Sequence, residues 1–434
     1  MRFPATVALT GALLASLATF ILHLPYEREV VYGMEWVRTA TNASAPITAA
    51  DSQPYTRRNL KFDCGGGVHC DAWFYEPIDP ASDPAMPPYP VRPIVIMGHG
   101  LGAQKEMGLQ TFAAIFAAAG MGVLVFDYRT FGGSEGLPRH WVSPARHLED
   151  WRSAVKFATS GALGPDFDTE RVALWGTSFA GGHVLVTAAD LPPGSVSAII
   201  SMVPHLDGMA ASRAAVRRRG LPATLRLLAA GLHDKARALA VEALERFQLM
   251  PPPGPSAWAS FANQLRVPAY LKLVGTPSEL AIMQLSDHEL QAYFSKHPKV
   301  YEGGWRPLIL ARFALESSSY RPITSLHRLA TAGKPLPPDL LSPAASDTTE
   351  TTDTSSPGSP ATPPTPQPVP ILFVAASKDG LCPIEAVRAA AAAVPGAEYK
   401  ELKCSHFDAY RGVYLEQGSG AMVRFLRKHL LGKE

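Results

Sequence analysis

A serine set among very small residues is the most chemically pointed feature of this 434-residue chain. The run is Leu174-Trp175-Gly176-Thr177-Ser178-Phe179-Ala180-Gly181-Gly182, an apolar strand passing through a small-residue turn into a helix. It approximates G-x-S-x-G, the pattern that lifts a nucleophilic serine onto a sharp strand-to-helix turn. Its neighbours must be small because the strand and helix backbones nearly touch there. Ala180 takes the place of the last glycine and is still small. Stripped of chemistry, the same run is a Gly-rich turn. A serine hydroxyl is a poor nucleophile unaided, so the chemical reading requires a base and a group that orients that base.

In this geometry the acid and the histidine follow the serine in that order, each just past a strand. Ser377-Lys378-Asp379-Gly380 follows the apolar run 371–376, and Lys403-Cys404-Ser405-His406-Phe407-Asp408 follows the run 399–402. Asp379 and His406 are therefore the expected acid and base. They lie 27 residues apart, room for one helix and one strand. Of the 13 histidines, His406 alone stands at a late strand end. Asp408 reads as the cap of the following helix, Glu385 lies inside a helical pattern, and His183 packs along the helix after Ser178.

Upstream, Gly98-His99-Gly100-Leu101-Gly102 follows the strand pattern Ile94-Val95-Ile96-Met97. Such a loop aims a backbone N–H at a developing oxyanion, joined by the N–H of the residue after the nucleophile. Leu101 and Phe179 are the expected donors, and His99 reads as a brace for the loop. A phosphate-binding loop is the competing reading, but no Lys-Ser/Thr pair and no GxGxxG follows.

Positioning these groups requires several strand ends on one rim. Short β-rich runs alternate with helical patterns over 58–205, which predicts an α/β protein with a mostly parallel sheet. The alternation stops at 206–334, where the chain reads as largely helical. Residues 335–370 hold 11 prolines among Ser, Thr, Asp and Glu, a composition that cannot bury enough apolar surface to order itself and predicts a disordered insert. Alternation then resumes over 371–434. One sheet domain interrupted by a cap is expected, with the cap entering before the strand that carries the acid.

These features together resemble the α/β-hydrolases, and more narrowly the dienelactone-hydrolase and Xaa-Pro-peptidase-like group that includes fungal polyketide transferases. The matching stretches are Gly98-His99-Gly100, the turn around Ser178, His406-Phe407-Asp408-Ala409-Tyr410 and Asp127-Tyr128-Arg129-Thr130-Phe131-Gly132-Gly133-Ser134-Glu135-Gly136. The resemblance covers most of 58–205 and 369–430 and implies a Ser178–Asp379–His406 triad. What it implies for activity is acyl transfer from a small-molecule acyl substrate. A serine esterase or thioesterase comes first and a polyketide-transferase-like acyltransferase second. A peptidase and a non-catalytic binding protein are the remaining alternatives. Fold resemblance leaves the substrate open.

Between Arg213 and Arg246 eight basic residues face three acidic ones. Such a run is ordinarily a solvated helical face; its sharper reading is a docking surface for an acidic carrier or an acyl-CoA. Trp258, Phe261, Tyr270, Met283 and Trp305 are either cap core or the lining of an acyl pocket. At the N-terminus, residues 1–25 contain a 22-residue stretch without formal charge, Phe3 to Leu24, after Arg2. It reads as a secretory signal, a membrane anchor or a helix packed on the domain, so a secretory or membrane-anchored location is expected, with a cytoplasmic one as the alternative. Cys64 and Cys70 flank a Gly-rich turn that a disulfide could bridge, free buried thiols are an equal alternative, and the state of Cys382 and Cys404 is left open. CxxC spacings are absent, and neither a metal nor an organic cofactor is expected. Lys plus Arg 40 against Asp plus Glu 38 leaves a net charge of +2 and no electrostatic case for nucleic acid. The sequence leaves the oligomeric state open.

Overall fold

The computed structural model describes residues 53–78, 91–252, 254, 256–295, 305–329 and 368–432. The N-terminal hydrophobic stretch, most of the Pro-rich loop before residue 91 and the low-complexity insert as far as 367 lie outside the described residues. Among the described residues, no helix is long and apolar enough to cross a membrane.

The chain begins with β1 (Tyr55–Asp63) and β2 (His69–Pro77), paired antiparallel. Gly65, Gly66 and Gly67 turn between them, all at positive φ, and a Cys64–Cys70 disulfide closes the turn. Next come β3 (Arg92–Gly98), α1 (Leu109–Ala118), β4 (Gly122–Phe126), α2 (Pro144–Thr159), β5 (Phe167–Thr177), α3 (Phe179–Asp190) and β6 (Ala198–Met202). The insertion supplies α4 (Gly208–Arg219), α5 (Leu221–Arg246), α6 (Ala257–Arg266), β7 (Tyr270–Gly275), β8 (Ala281–Gln284), α7 (Asp287–Ser295), β9 (Leu308–Leu310), α8 (Phe313–Glu316) and α9 (Leu326–Leu329). The sheet resumes with β10 (Ile371–Ala376), α10 (Ile384–Ala393), β11 (Glu398–Leu402) and α11 (Gly412–Leu426).

Eight strands form one sheet in the order β1-β2-β4-β3-β5-β6-β10-β11. From β4 onward every pairing is parallel. Strands β3, β4, β6 and β10 are buried along their whole length. That accounts for their continuous apolar sequences, since helices cover both faces of a parallel sheet. β10 pairs directly with β6, Ile371 opposite Ile199. The whole insertion is thus an excursion between two neighbouring strands.

The insertion differs from its expected helical character in one respect. It also builds a three-stranded sheet, β8-β7-β9, parallel on one side of β7 and antiparallel on the other. These strands are six, four and three residues long, too short for a two-residue period to stand out from helical patterns. The small sheet is stitched to the main domain. Leu310 N–H donates to the His140 carbonyl at 3.1 Å, and the His140 ring donates from Nδ1 to the Leu308 carbonyl at 2.9 Å. Trp305 Nε1–H donates to the Gly102 carbonyl at 2.9 Å. Gly102 has φ 62°, and a Cβ there would lie 2.5 Å from Leu273 of β7, so only glycine lets the loop meet the cap.

Candidate active site

Ser178 occupies the junction of β5 and α3 at φ 56° and ψ −117°, a conformation that non-glycine residues avoid. Its surroundings hold it there. Ser178 N–H donates to the Met202 carbonyl at 2.8 Å, and its own carbonyl accepts from Gly181 and His205 N–H, each at 2.9 Å. A Cβ at Gly176 would sit 2.1 Å from the Ala180 carbonyl oxygen, and one at Gly181 would sit 2.7 Å from Pro204. The small residues read from the sequence are therefore a steric necessity, and alanine fits at position 180, fully buried.

His406 follows β11, with Nε2 3.1 Å from Ser178 Oγ and Nδ1 2.6 Å from Asp379 Oδ2. A proton on Nδ1, donated to the carboxylate, leaves the Nε2 lone pair facing the hydroxyl. Asp379 follows β10, and its other oxygen accepts the N–H groups of Leu381 and Cys382, both at 2.8 Å. The two ends are laced together: Ser377 N–H donates to the Leu402 carbonyl and Lys378 N–H to that of Cys404. Thr177, next to the serine, shares a very short hydrogen bond with the Tyr410 hydroxyl, which ties the serine turn to the histidine loop.

Gly100 approaches so closely that a Cβ on it would be 3.0 Å from Ser178 Cβ. Leu101 follows it and lines the space in front of Ser178. Phe179 is the first residue of α3, so its N–H has no acceptor within the helix. His99 is 1% exposed, bonded through Nδ1 to the Gly100 carbonyl at 3.0 Å, with Nε2 3.5 Å from Tyr128 N. Burial holds its pKa down at about 4, against the opposing pull of Asp127. It is a neutral brace behind the loop.

The loop's far side is anchored by Lys105, whose ammonium is fully buried 2.7 Å from Asp127 Oδ2 and 2.5 Å from Asp71 Oδ2. Lys105 N–H also donates to Asp127 Oδ1 at 2.7 Å. Nothing local in the sequence marks this cluster, because its members lie on β2, after β3 and after β4.

The other expected residues fall as follows. Glu385 is exposed on α10. His183 is buried on α3, with Nδ1 2.5 Å from the Tyr320 hydroxyl and Nε2 3.2 Å from His147 Nδ1. Asp408 departs from its expected role, since its side chain does not cap the next helix. It accepts from Ser405 Oγ at 2.6 Å, from Arg411 at 2.6 and 3.0 Å, and lies 3.2 Å from His288 Nε2 on α7. Burial opposes its charge, but these partners outweigh it and hold the pKa at about 2. A guanidinium three residues on wins the carboxylate away from backbone N–H groups. Tyr270 and Trp305 belong to the buried interior, Trp258 is exposed, and the Phe261 side chain lies outside the described residues.

Two cavities meet at Ser178. The larger, about 310 Å³, is mostly apolar and bounded by Leu101, Phe179, Ile282, Met283 and Phe313. The smaller, about 30 Å³, lies on the His406 side between Met107, Tyr293, Phe407 and Tyr410. His205 also borders the larger cavity; its ring Nε2 is buried without a hydrogen-bond partner among the described residues, and burial lowers its pKa to about 4. Its signal in the sequence was its place just beyond β6, a strand end like those of Asp379 and His406.

Two clusters among the described residues bring three metal-type ligands within 4.8 Å of one another. In Cys64–Cys70–Asp150 both sulfurs are spent in the disulfide. In Asp379–Cys382–His406 the carboxylate and imidazole bond each other, and burial pushes the Cys382 thiol well above its ordinary pKa. Neither set resembles a closed zinc shell.

The profile of the serine aminopeptidase S33 family, Hydrolase_4, matches residues 89–313, just over half of the chain. The quorum-quenching protein AidA of Acinetobacter baumannii is 39% identical over 182 residues, 42% of this chain and 54% of its own length. The thiohydrolase aneE of Aspergillus aculeatus is 38% identical over 96 residues, 22% of this chain and 29% of its own. The polyketide transferase af380 of Aspergillus fumigatus is 32% identical over 133 residues, 30% of this chain and 40% of its own. The chain thus spans about half or less of these three curated relatives. Among solved structures, the α/β-hydrolase GrgF from Penicillium sp. sh18 aligns with TM-score 0.56 at 20% identity, covering 86% of this chain and 99% of that one. A hypothetical protein of Pseudomonas aeruginosa aligns with TM-score 0.57 at 18% identity, covering 93% and 99%. At these identities the structural likeness speaks for the fold.

Proposed function

Because the chain belongs to the serine aminopeptidase S33 family of α/β-hydrolases, we propose that it is a serine hydrolase that cleaves a carboxylic ester or thioester through an acyl-enzyme. The observation that carries this reading is the hydrogen-bonded chain Ser178 Oγ, His406, Asp379, buried at the rim of the parallel sheet. His406 Nε2 takes the Ser178 proton as Oγ attacks the acyl carbonyl. Asp379 holds the imidazole in the required tautomer and stabilises it once charged. The N–H groups of Leu101 and Phe179 receive the carbonyl oxygen as it becomes an oxyanion. His406 then returns the proton to the departing alcohol or thiol, and water repeats the sequence to release the acid.

Fluorophosphonate labelling tests this directly. The purified protein should be labelled once and Ser178→Ala not at all, and the variant should lose p-nitrophenyl ester cleavage while melting like the parent. Equal rates in the two proteins would overturn the assignment, and preferred cleavage of an aminoacyl p-nitroanilide would replace esterase by peptidase. Likeness to a polyketide transferase favours acyl transfer as the second reading. A product formed only when an alcohol or amine acceptor is supplied would select it.

A further inference from the structure

The two cavities at Ser178 are distinguished by the chemistry each must serve. The general acid has to protonate the leaving group, so the leaving group lies on the side of His406. That side offers only about 30 Å³, little more than the room one water occupies, and the departing alcohol or thiol must be small or project outward. The acyl chain then occupies the larger cavity of about 310 Å³, which is within the range of pockets built for small molecules.

That cavity is not uniformly apolar. Two guanidiniums from the last turn of α4, Arg218 and Arg219, border it. Arg219 is partly buried and oriented by two backbone carbonyls of β8, with Nη2 2.7 Å from Ile282 O and 3.3 Å from Ala281 O. Arg218 Nη1 donates to the Gly380 carbonyl at 2.6 Å, beside Asp379. Among the described residues neither arginine is paired with a carboxylate, and the charge acting on Arg219 is the like charge of Arg218. Burial and that repulsion lower the Arg219 pKa. The C-terminus of α4 offsets about half an elementary charge, against two full positive charges. Elsewhere in the cap the buried arginines do have a carboxylate partner: Arg312 and Arg237 share Asp234. Arg218 is exposed and hydrated, but the partly buried Arg219 charge, left without a carboxylate among the described residues, is costly beside an apolar cavity unless a ligand supplies the anion.

We propose that the substrate is an acyl ester or thioester whose acyl chain carries a carboxylate, received by Arg219 with Arg218 beside it, while the apolar stem fills the cavity. The inference rests on the serine-hydrolase reading and deepens it. It makes the protein selective for half-esters of dicarboxylic acids over neutral acyl esters of the same length.

The test compares p-nitrophenyl monoesters of hexanedioate, octanedioate and decanedioate with the hexanoate, octanoate and decanoate esters, using the full-length protein. At one or more chain lengths kcat/KM should favour the carboxylated ester by about tenfold or more, chiefly through KM, as expected of binding shared by ground and transition states. In Arg219→Gln that ratio should fall towards one, and Arg219→Lys should retain part of it. Octanedioate should also inhibit the unaltered protein better than octanoate does, a measurement that depends on no variant folding. Neutral esters preferred at every length, or a preference that survives Arg219→Gln in a folded protein, would overturn the proposal. So would an Arg219-dependent preference for octanoyl-CoA without one for the diacid esters, which would put the anion on the leaving group. Calorimetry of octanedioate with Ser178→Ala separates the two layers. Arg219-dependent binding with no ester turnover by the parent would sink the hydrolase reading and leave the anion site, whereas turnover without diacid preference would do the reverse.

Discussion

Ser178, Asp379 and His406 form one hydrogen-bonded chain, and each is held by a different local device. The serine is held in strained backbone by the Met202, Gly181 and His205 hydrogen bonds. The histidine depends on the single 2.6 Å contact with Asp379 for its tautomer. Asp379→Asn should therefore leave the fold intact, because the Leu381 and Cys382 N–H groups can still be accepted by the amide oxygen. Turnover should drop by about 10⁴-fold, since an amide cannot accept the Nδ1 proton in that orientation and leaves Nε2 in the wrong state. Steady-state kinetics with a melting curve checks this, and a loss of less than tenfold would show that another group orients the imidazole. These residues were legible in the sequence because each follows a strand pattern and their chain order is restrictive. Asp408 was misjudged because its controlling partners, Arg411 and His288, belong to a loop and a cap helix that no local pattern connects.

At the scale of elements, the loop from Gly98 to Lys105 works because it is pinned at both ends. His99 braces one end as a neutral ring, and the Lys105 ammonium holds the other between two buried carboxylates. Removing one partner of such a cluster typically costs about 3–5 kcal/mol, because the charges left behind stay buried and unpaired. Lys105→Met should lose stability of that order in urea or guanidinium unfolding, and catalytic rate should fall in whatever fraction still folds. Unchanged unfolding would mean that Asp71 and Asp127 are neutral in the native state. His99 as a brace was readable in the sequence, but the Lys105 cluster was not, as 34 and 22 residues separate Lys105 from its partners. The parallel strands were readable from their unbroken apolar runs; the three cap strands were not, because they gain their identity only by pairing with one another.

For the molecule as a whole, buried neutral histidines make stability depend on pH. Burial depresses the pKa of His99 to about 4 and that of His140 to about 3, in the latter case with repulsion from Arg139 adding to the effect. An unfolded histidine protonates near 6.5, so between that value and about 4 the unfolded chain binds more protons than the folded one. The stabilisation from these two groups is thus fully present above about 6.5 and shrinks as pH falls, by about 1.4 kcal/mol per pH unit for each histidine. Melting temperature should decline steadily from pH 7 to pH 4.5, and His140→Gln should flatten the slope. A melting temperature that holds level across that range would contradict the assignment.

The bonds from His140 and Gly102 to the small cap sheet also bear on timing. Trp305 and β7 grip the same loop that carries Leu101. Displacing the cap would therefore loosen the Gly98–Gly102 loop at the same moment that it uncovered the space in front of Ser178.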